Sequence, residues 1–200
     1  MSTKPSNHNS TNAGLESRQI RLPELLNFID GQACKPEIDR HHQLCDANSG
    51  QALQAQLASS TEQIEVALSA ADKAVQLGDW ENLPALERAD FLDKIANELD
   101  HAETKQSIAY ADSITTGSII RTTTKMANLA PAGFKGAAHY LREGHLDKKT
   151  EGPCGDVDHL LRPWGPALLV SPWNAPTAIG SHKVASALAA GAPCIAKPSE

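Results

Sequence analysis

The sequence predicts an α/β fold, on three observations. The stretch Arg162–Glu200 sets a helical pattern between two short apolar runs, which is how a strand–helix–strand unit reads. Residues 60 to 141 carry apolar side chains at helical spacing, punctuated by helix start and stop signals. Ahead of them, strand patterns are broken by Asp30-Gly31 and Asn48-Ser49-Gly50 turns.

In chain order, Met1–Asn12 is rich in Ser, Asn and Thr and almost free of apolar residues. A disordered tail is expected over residues 1–16, with the folded part at 17–200. Leu26–Ile29 reads as a strand entering an Asp30-Gly31 hairpin turn. After Asn48-Ser49-Gly50, Leu53, Ala55 and Leu57 alternate with Gln54 and Gln56, the period of a half-buried strand. Ser60 and Gln63 have capping-box spacing, and Ser59 with Glu62 offers the same option one residue earlier. Ile64, Ala67, Leu68, Ala71, Ala74 and Val75 follow at helical spacing, and Gly78 ends that helix. Asn82-Leu83-Pro84 opens a second helix, with Pro in a tolerated first-turn position. Its apolar stripe is Ala89, Leu92, Ile95, Ala96 and Leu99. A third helix covers Glu103–Asp112, with a break at Gly117. A fourth spans Thr122–Leu141, weakened by Pro131 and Gly133. Gly144–Asp158 is polar, carries Gly152, Pro153 and Gly155, and reads as an exposed connection or hairpin.

The last quarter holds the candidate site. Ala167–Val170 is too short for a helix and reads as a buried strand. Ser171-Pro172-Trp173-Asn174-Ala175-Pro176 cannot continue it, because its prolines lack N–H donors and restrict the residues before them. Thr177–Ala190 is helical, with Ala178, Ile179, Ala185, Leu188 and Ala189 largely on one face, and Gly191 suits the position just past its end. Pro193–Ala196 is a second buried strand, in which Cys194 is a small apolar filler. Parallel strands joined by a crossover helix place ligands at the strands' carboxyl ends. Asn174 and Lys197 fall at such ends, and Glu200 lies just beyond. Taken alone, Asn174 reads as a turn asparagine bonding its own backbone, and Lys197 and Glu200 as surface charges.

Composition narrows the function classes. The hydrophobic fraction of 40% and charged fraction of 21% are ordinary for a globular protein. A net charge of −6 argues against broad nucleic-acid binding or adhesion to acidic membranes. No run of about 18 apolar residues is present, so no membrane helix is expected, and the N-terminus lacks the apolar core of a secretory signal. Cys34, Cys45, Cys154 and Cys194 form no C-x-x-C pair and are expected as reduced thiols in a cytoplasmic protein. His41-His42, His139 and His145 make no metal set with any cysteine, so no metal is expected.

Three motifs stand in order and at family spacing: Pro172-Trp173-Asn174, Ala187-Leu188-Ala189-Ala190-Gly191 and Lys197-Pro198-Ser199-Glu200. Together they resemble the aldehyde dehydrogenase superfamily. Phe28-Ile29-Asp30-Gly31, Asp79-Trp80, Glu87-Arg88-Ala89 and Thr116-Gly117 extend the resemblance over nearly everything after the tail. It implies the N-terminal part of a Rossmann-like NAD-binding domain, with an oligomerisation hairpin at 144–161 and a homo-oligomeric enzyme. The implied reaction oxidises an aldehyde to a carboxylic acid with NAD, or NADP, through a cysteine thiohemiacetal and thioester.

The resemblance makes Asn174 the catalytic oxyanion donor. It assigns cofactor contacts to Ser171, Pro172, Trp173, Lys197, Ser199 and Glu200. Lys197 and Glu200 match the family's ribose-binding pair, and the Glu200 carboxylate disfavours a 2′-phosphate, hence NAD over NADP. Trp173 either lines the cofactor site through its backbone or packs as core. The family's reactive cysteine, general-base glutamate and pyrophosphate loop lie beyond Glu200, so a fragment of a longer enzyme is expected. The alternative is a non-catalytic binding or assembly module that pairs with full-length subunits. Three departures leave the aldehyde open: Ala175 where Phe is usual, Ser118 where Lys is frequent, and Ala192-Pro193 where Asn-Thr is frequent.

Overall fold

The computed structural model describes residues 22–199. The expectations for the tail at 1–16 and for Glu200 lie outside the described residues.

Strands β1 (Asn27–Ile29) and β2 (Gln32–Cys34) pair antiparallel around Asp30-Gly31. Both turn residues have positive φ, 48° and 76°, the backbone a two-residue type I′ hairpin requires. Strand β3 (Ile38–Cys45) was not legible in the sequence. It pairs antiparallel with β4 (Ala52–Ala58), with a register shift between Asp39 and Gln43. Its Asp39-Arg40-His41-His42 run is exposed, so no apolar alternation marks it as a strand.

Helix α1 (Thr61–Leu77) starts at Ser60 and not at Ser59. The Ser60 hydroxyl accepts from the Gln63 amide N–H at 3.2 Å, and the Gln63 side chain accepts from the Ser60 N–H at 3.1 Å. Ser59 accepts from the Asn27 carboxamide at 3.0 Å, which ties β1 to the start of α1. Helices α2 (Ala85–Asp100) and α3 (Ala102–Thr116) follow, and α3 runs on to a left-handed Gly117.

The single helix expected over 122–141 is two, α4 (Ile120–Ala127) and α5 (Leu129–Arg142). Pro131 explains the break. Its ring would clash with the carbonyl four residues back, on Ala127, where α4 ends. Gly133 is a packing site rather than a weak point. A Cβ there would lie 3.3 Å from the His182 Cα on the neighbouring helix.

Strands β5 (Asp147–Gly152) and β6 (Gly155–Leu160) form an antiparallel hairpin exposed along its whole length. Strands β7 (Ala167–Val170) and β8 (Cys194–Lys197) are parallel, joined by helix α6 (Pro176–Ala189). Gly191, with φ 89°, turns the chain out of that helix. The two strands were expected to be buried. They are not: Leu168 is 69% and Val170 50% exposed. Helix α6 packs against both strands, and the face carrying Leu168 is open among the described residues.

The core lies where α2, α5 and α6 meet. It comprises Ala89, Leu92 and Ala96, Phe134, Ala138 and Leu141, and Ala185 and Ala189. Alanine dominates, so the helix axes come close and few large side chains fill the space. Trp80 donates its indole N–H to the Leu188 carbonyl at 2.9 Å, tying the α1–α2 connection to α6. Buried Arg88 donates to the carbonyls of Glu81 and Leu83, both at 2.8 Å, and holds the same connection in shape. Arg142 bridges Asp90 and Asp93 at 2.7 Å each. Asp100 takes Lys105 at 2.7 Å and Lys135 at 2.6 Å.

Leu92 is fully buried, so Leu92→Ala is expected to lower the unfolding free energy by about 2–5 kcal/mol. The check is a lower denaturant midpoint at an unchanged slope.

Hydrogen bonds from Lys105 and Lys135 hold the Asp100 carboxyl down at about 2. A carboxyl depressed in the folded state contributes stability above its unfolded value of about 3.9, and that contribution is lost as pH falls towards about 2. Melting temperature is therefore expected to fall more steeply between about pH 4 and pH 2 in the parent than in Asp100→Asn.

Candidate functional site

The carboxyl ends of β7 and β8 lie side by side. Val170 is in register with Lys197, and the Ser171 N–H donates to the Lys197 carbonyl at 3.1 Å. Ser171–Ala175 forms the connection from β7 to α6, and Pro176 opens the helix. Proline suits that position because its missing N–H would have no partner there. Of the sequence-predicted residues, Ser171, Pro172, Trp173, Asn174 and Lys197 thus gather at one end of the parallel pair. Ser199 follows two residues after Lys197, half-buried. Glu200 lies outside the described residues.

Trp173 is 66% exposed, which excludes it from the core among the described residues. Asn174 is exposed, and its carboxamide makes no hydrogen bond to any described residue. A turn asparagine in the Asx sense would bond a nearby backbone group. The Lys197 ammonium donates to the Pro198 carbonyl at 3.0 Å. Ala175, unlike the two residues before it, is buried.

Four further residues hold this loop, and sequence reasoning missed all of them. Gly180, one turn into α6, faces Ser171: a Cβ on Gly180 would lie 2.9 Å from the Ser171 hydroxyl oxygen. Lys183 donates to the carbonyl of Val170, the last residue of β7, at 2.5 Å. Thr177 donates its hydroxyl to a carboxylate oxygen of Asp112, on α3, at 2.9 Å. Asp112 is 7% exposed. Burial pushes its carboxyl up, and the Thr177 bond opposes that by favouring the charged form. Gly180 left a signal, an unexplained glycine inside a helical pattern. Asp112 and Thr177 left none, because they are 65 positions apart.

Chemically, the loop presents a free carboxamide N–H beside the N-terminus of a 14-residue helix. A carboxamide N–H and a helix N-terminus are both suited to a negative charge that develops during a reaction. Lys197 and Trp173 are both exposed at this end of the parallel pair. Among the described residues no group of His, Cys, Asp or Glu side chains is placed to hold a metal. No described helix is long and apolar enough to cross a membrane.

The model of the aldehyde dehydrogenase family matches residues 35–200. The chain belongs to the aldehyde dehydrogenase family. It is 31% identical over 190 residues to a peroxisomal aminoaldehyde dehydrogenase 1 of Malus domestica, covering 90% of this chain and 37% of that protein. The crystal structure of HpcC from Thermus thermophilus superposes with a TM-score of 0.74 at 23% identity, covering 92% of this chain and 35% of that one. A betaine aldehyde dehydrogenase point mutant from Staphylococcus aureus, solved in complex with NAD+, superposes with a TM-score of 0.73 at 20% identity, covering 88% and 35%. The chain therefore spans little more than a third of the length of these relatives. Its fold is the N-terminal part of the aldehyde dehydrogenase fold, as the resemblance implied.

Gly180 and Ser171 are predicted to be energetically coupled. Gly180→Ala alone gains helix propensity but forces the Ser171 hydroxyl aside. In a Ser171→Ala background the same change meets no oxygen and is expected to stabilise by up to about 1 kcal/mol. Thermal melts of the two single variants and the double variant measure the difference.

Proposed function

We propose that this chain supplies the oxyanion donor and the adenosine-ribose grip of an NAD-dependent aldehyde dehydrogenase. The observation that carries this reading is the Asn174 carboxamide. It stands exposed and unbonded to the described residues in the connection between the carboxyl end of β7 and the N-terminus of α6, and β8 ends alongside β7 at Lys197. The reaction is oxidation of an aldehyde to a carboxylic acid. A cysteine thiolate adds to the carbonyl carbon, and the oxygen takes up the electron pair as an oxyanion. The Asn174 carboxamide donates to that oxygen. Bound NAD would supply the acceptor for the hydride lost from the adduct's carbon as its C=O re-forms, and water would then cleave the resulting thioester to the acid and the free thiolate.

Within this chain, the residues that hold the cofactor are Ser171, Pro172, Trp173, Lys197, Ser199 and Glu200. Ser171 and Pro172 follow the end of β7 half-buried, and Trp173 and Lys197 are exposed. Lys197 and Glu200 bond the ribose hydroxyls. A carboxylate at Glu200 repels a 2′-phosphate, which sets NAD ahead of NADP. The hairpin β5–β6, within 144–161, is exposed throughout and supplies strand edges for a second copy of the chain in a homo-oligomer. The four cysteines are unpaired, which fits a reducing cytoplasmic compartment.

The test is made in the intact dehydrogenase that contains this segment. Asn174→Ala is expected to lower kcat by about 10²–10³, or about 2.7–4 kcal/mol, with little loss of NAD affinity. Asn174→Asp is expected to be worse, because it sets a negative charge against the developing one. Stopped-flow turnover with NAD titration separates the two terms. Near-parent turnover in Asn174→Asp overturns the oxyanion role.

A further inference from the structure

We infer that Asp112 is a positioning residue for Asn174: through Thr177 it fixes the start of α6, and with it the loop that carries the carboxamide. The inference rests on the oxyanion reading of Asn174.

The loop needs outside support because its own chemistry gives little. Its entry is secured twice, by the Ser171 N–H on the Lys197 carbonyl at 3.1 Å and by Lys183 on the Val170 carbonyl. Its exit is weakly built. Ala175 is the N-cap of α6 and has no side chain to accept from the first-turn N–H groups. Pro176 has no N–H at all. The Ala175 carbonyl accepts from the Ile179 N–H at 3.1 Å, an ordinary bond within the helix that anchors nothing to a neighbour. Among the described residues, the hydrogen bond that ties this exit to another element is Thr177 to Asp112, at 2.9 Å. Thr177 is the second residue of α6 and lies three positions after Asn174.

Asp112 is an expensive way to make that bond. A carboxylate exposed by only 7% loses most of its hydration. A well-packed apolar pair would hold two helices together at lower cost. A directional O–H to carboxylate bond instead adds a fixed point at the first turn of α6, whose body is set by its packing against α2 and α5. That fixed point bears on where the backbone three residues earlier leaves the loop. Asn174 makes no hydrogen bond of its own to the described residues, so what the fold sets for it is the position of its Cα and the direction of its Cα–Cβ bond.

The experiment uses the intact dehydrogenase. Thr177→Val and Asp112→Ala remove the bond, whereas Thr177→Ser and Asp112→Asn keep a hydroxyl donor and an oxygen acceptor. Each is made with Asn174 present and in an Asn174→Ala background. Expected is a fall in kcat of about tenfold for the two bond-breaking variants, with KM for NAD within about twofold. The two conservative variants are expected to keep most of the turnover. In the Asn174→Ala background the bond-breaking variants are expected to have almost no further effect, because the group they misplace is gone. A loss of the same size in both backgrounds, or a loss confined to KM or melting temperature, overturns the positioning role while leaving Asn174 intact. If Asn174→Ala itself leaves kcat unchanged, the oxyanion reading fails and this inference falls with it. Should Asp112→Ala not fold, Thr177→Val carries the comparison.

Discussion

Helix α6 is closely packed on both sides, at Gly133 against its own backbone and at Gly180 against a loop hydroxyl, and the rest of the structure depends on that. On the α5 side, Gly133 leaves room where a Cβ would meet the His182 backbone at 3.3 Å. On the strand side, Gly180 leaves room for the Ser171 hydroxyl at 2.9 Å. Between these contacts the packing is done by Ala185 and Ala189 against the alanines of α2 and α5. Small side chains allow short interhelical distances, and short distances leave no slack for an inserted methyl group. The strand-end loop inherits this constraint, because it is the covalent link between β7 and the helix so confined.

Where local chemistry decides a structure, the sequence was readable. Ser60 with Gln63, Asp30-Gly31 and the left-handed Gly78, Gly117 and Gly191 each act within a few residues and stand where they were expected. The parallel β7–α6–β8 unit was equally legible, since proline, glycine and apolar periodicity bound every part of it. Features that depend on partners elsewhere were hidden. Strand β3 is held by pairing with β4 and shows no alternation. The α4–α5 break needed Pro131 to be read through its effect on Ala127 rather than at its own position. The candidate site divides in the same way. Asn174, Lys197 and the loop between Ser171 and Pro176 could be read from motif and strand ends. The supports of that loop come from the body of α6 and from α3, at separations no periodicity reports.

The exposed ion pairs do a different job from the core. Arg142 with Asp90 and Asp93 and Lys135 with Asp100 join α5 to α2, while Lys105 links the start of α3 to the same aspartate. Each is partly open to water, where such pairs contribute little individually. Their arrangement favours the same register of α5 along α2 as the packing of Leu92, Phe134 and Leu141 beneath them.

That division of labour bears on the chemistry proposed for the loop. An oxyanion donor is effective only if it is already in place when charge appears, since reorganisation at that moment would consume the gain. Asn174 lies on an exposed loop, normally a mobile part of a protein. Its surroundings remove that freedom. Ser171 is seated on Gly180, Val170 is held by Lys183, and Thr177 is held by Asp112, so the stretch from Pro172 to Pro176 is fixed at both ends. Its two prolines and buried Ala175 remove further conformations. The backbone that carries the carboxamide is therefore held at both ends, while the carboxamide itself stays free of hydrogen bonds to the described residues. A side chain tied by its own bond would have to break it before meeting a substrate oxygen, whereas a free carboxamide on a restrained backbone has only its own torsions to settle.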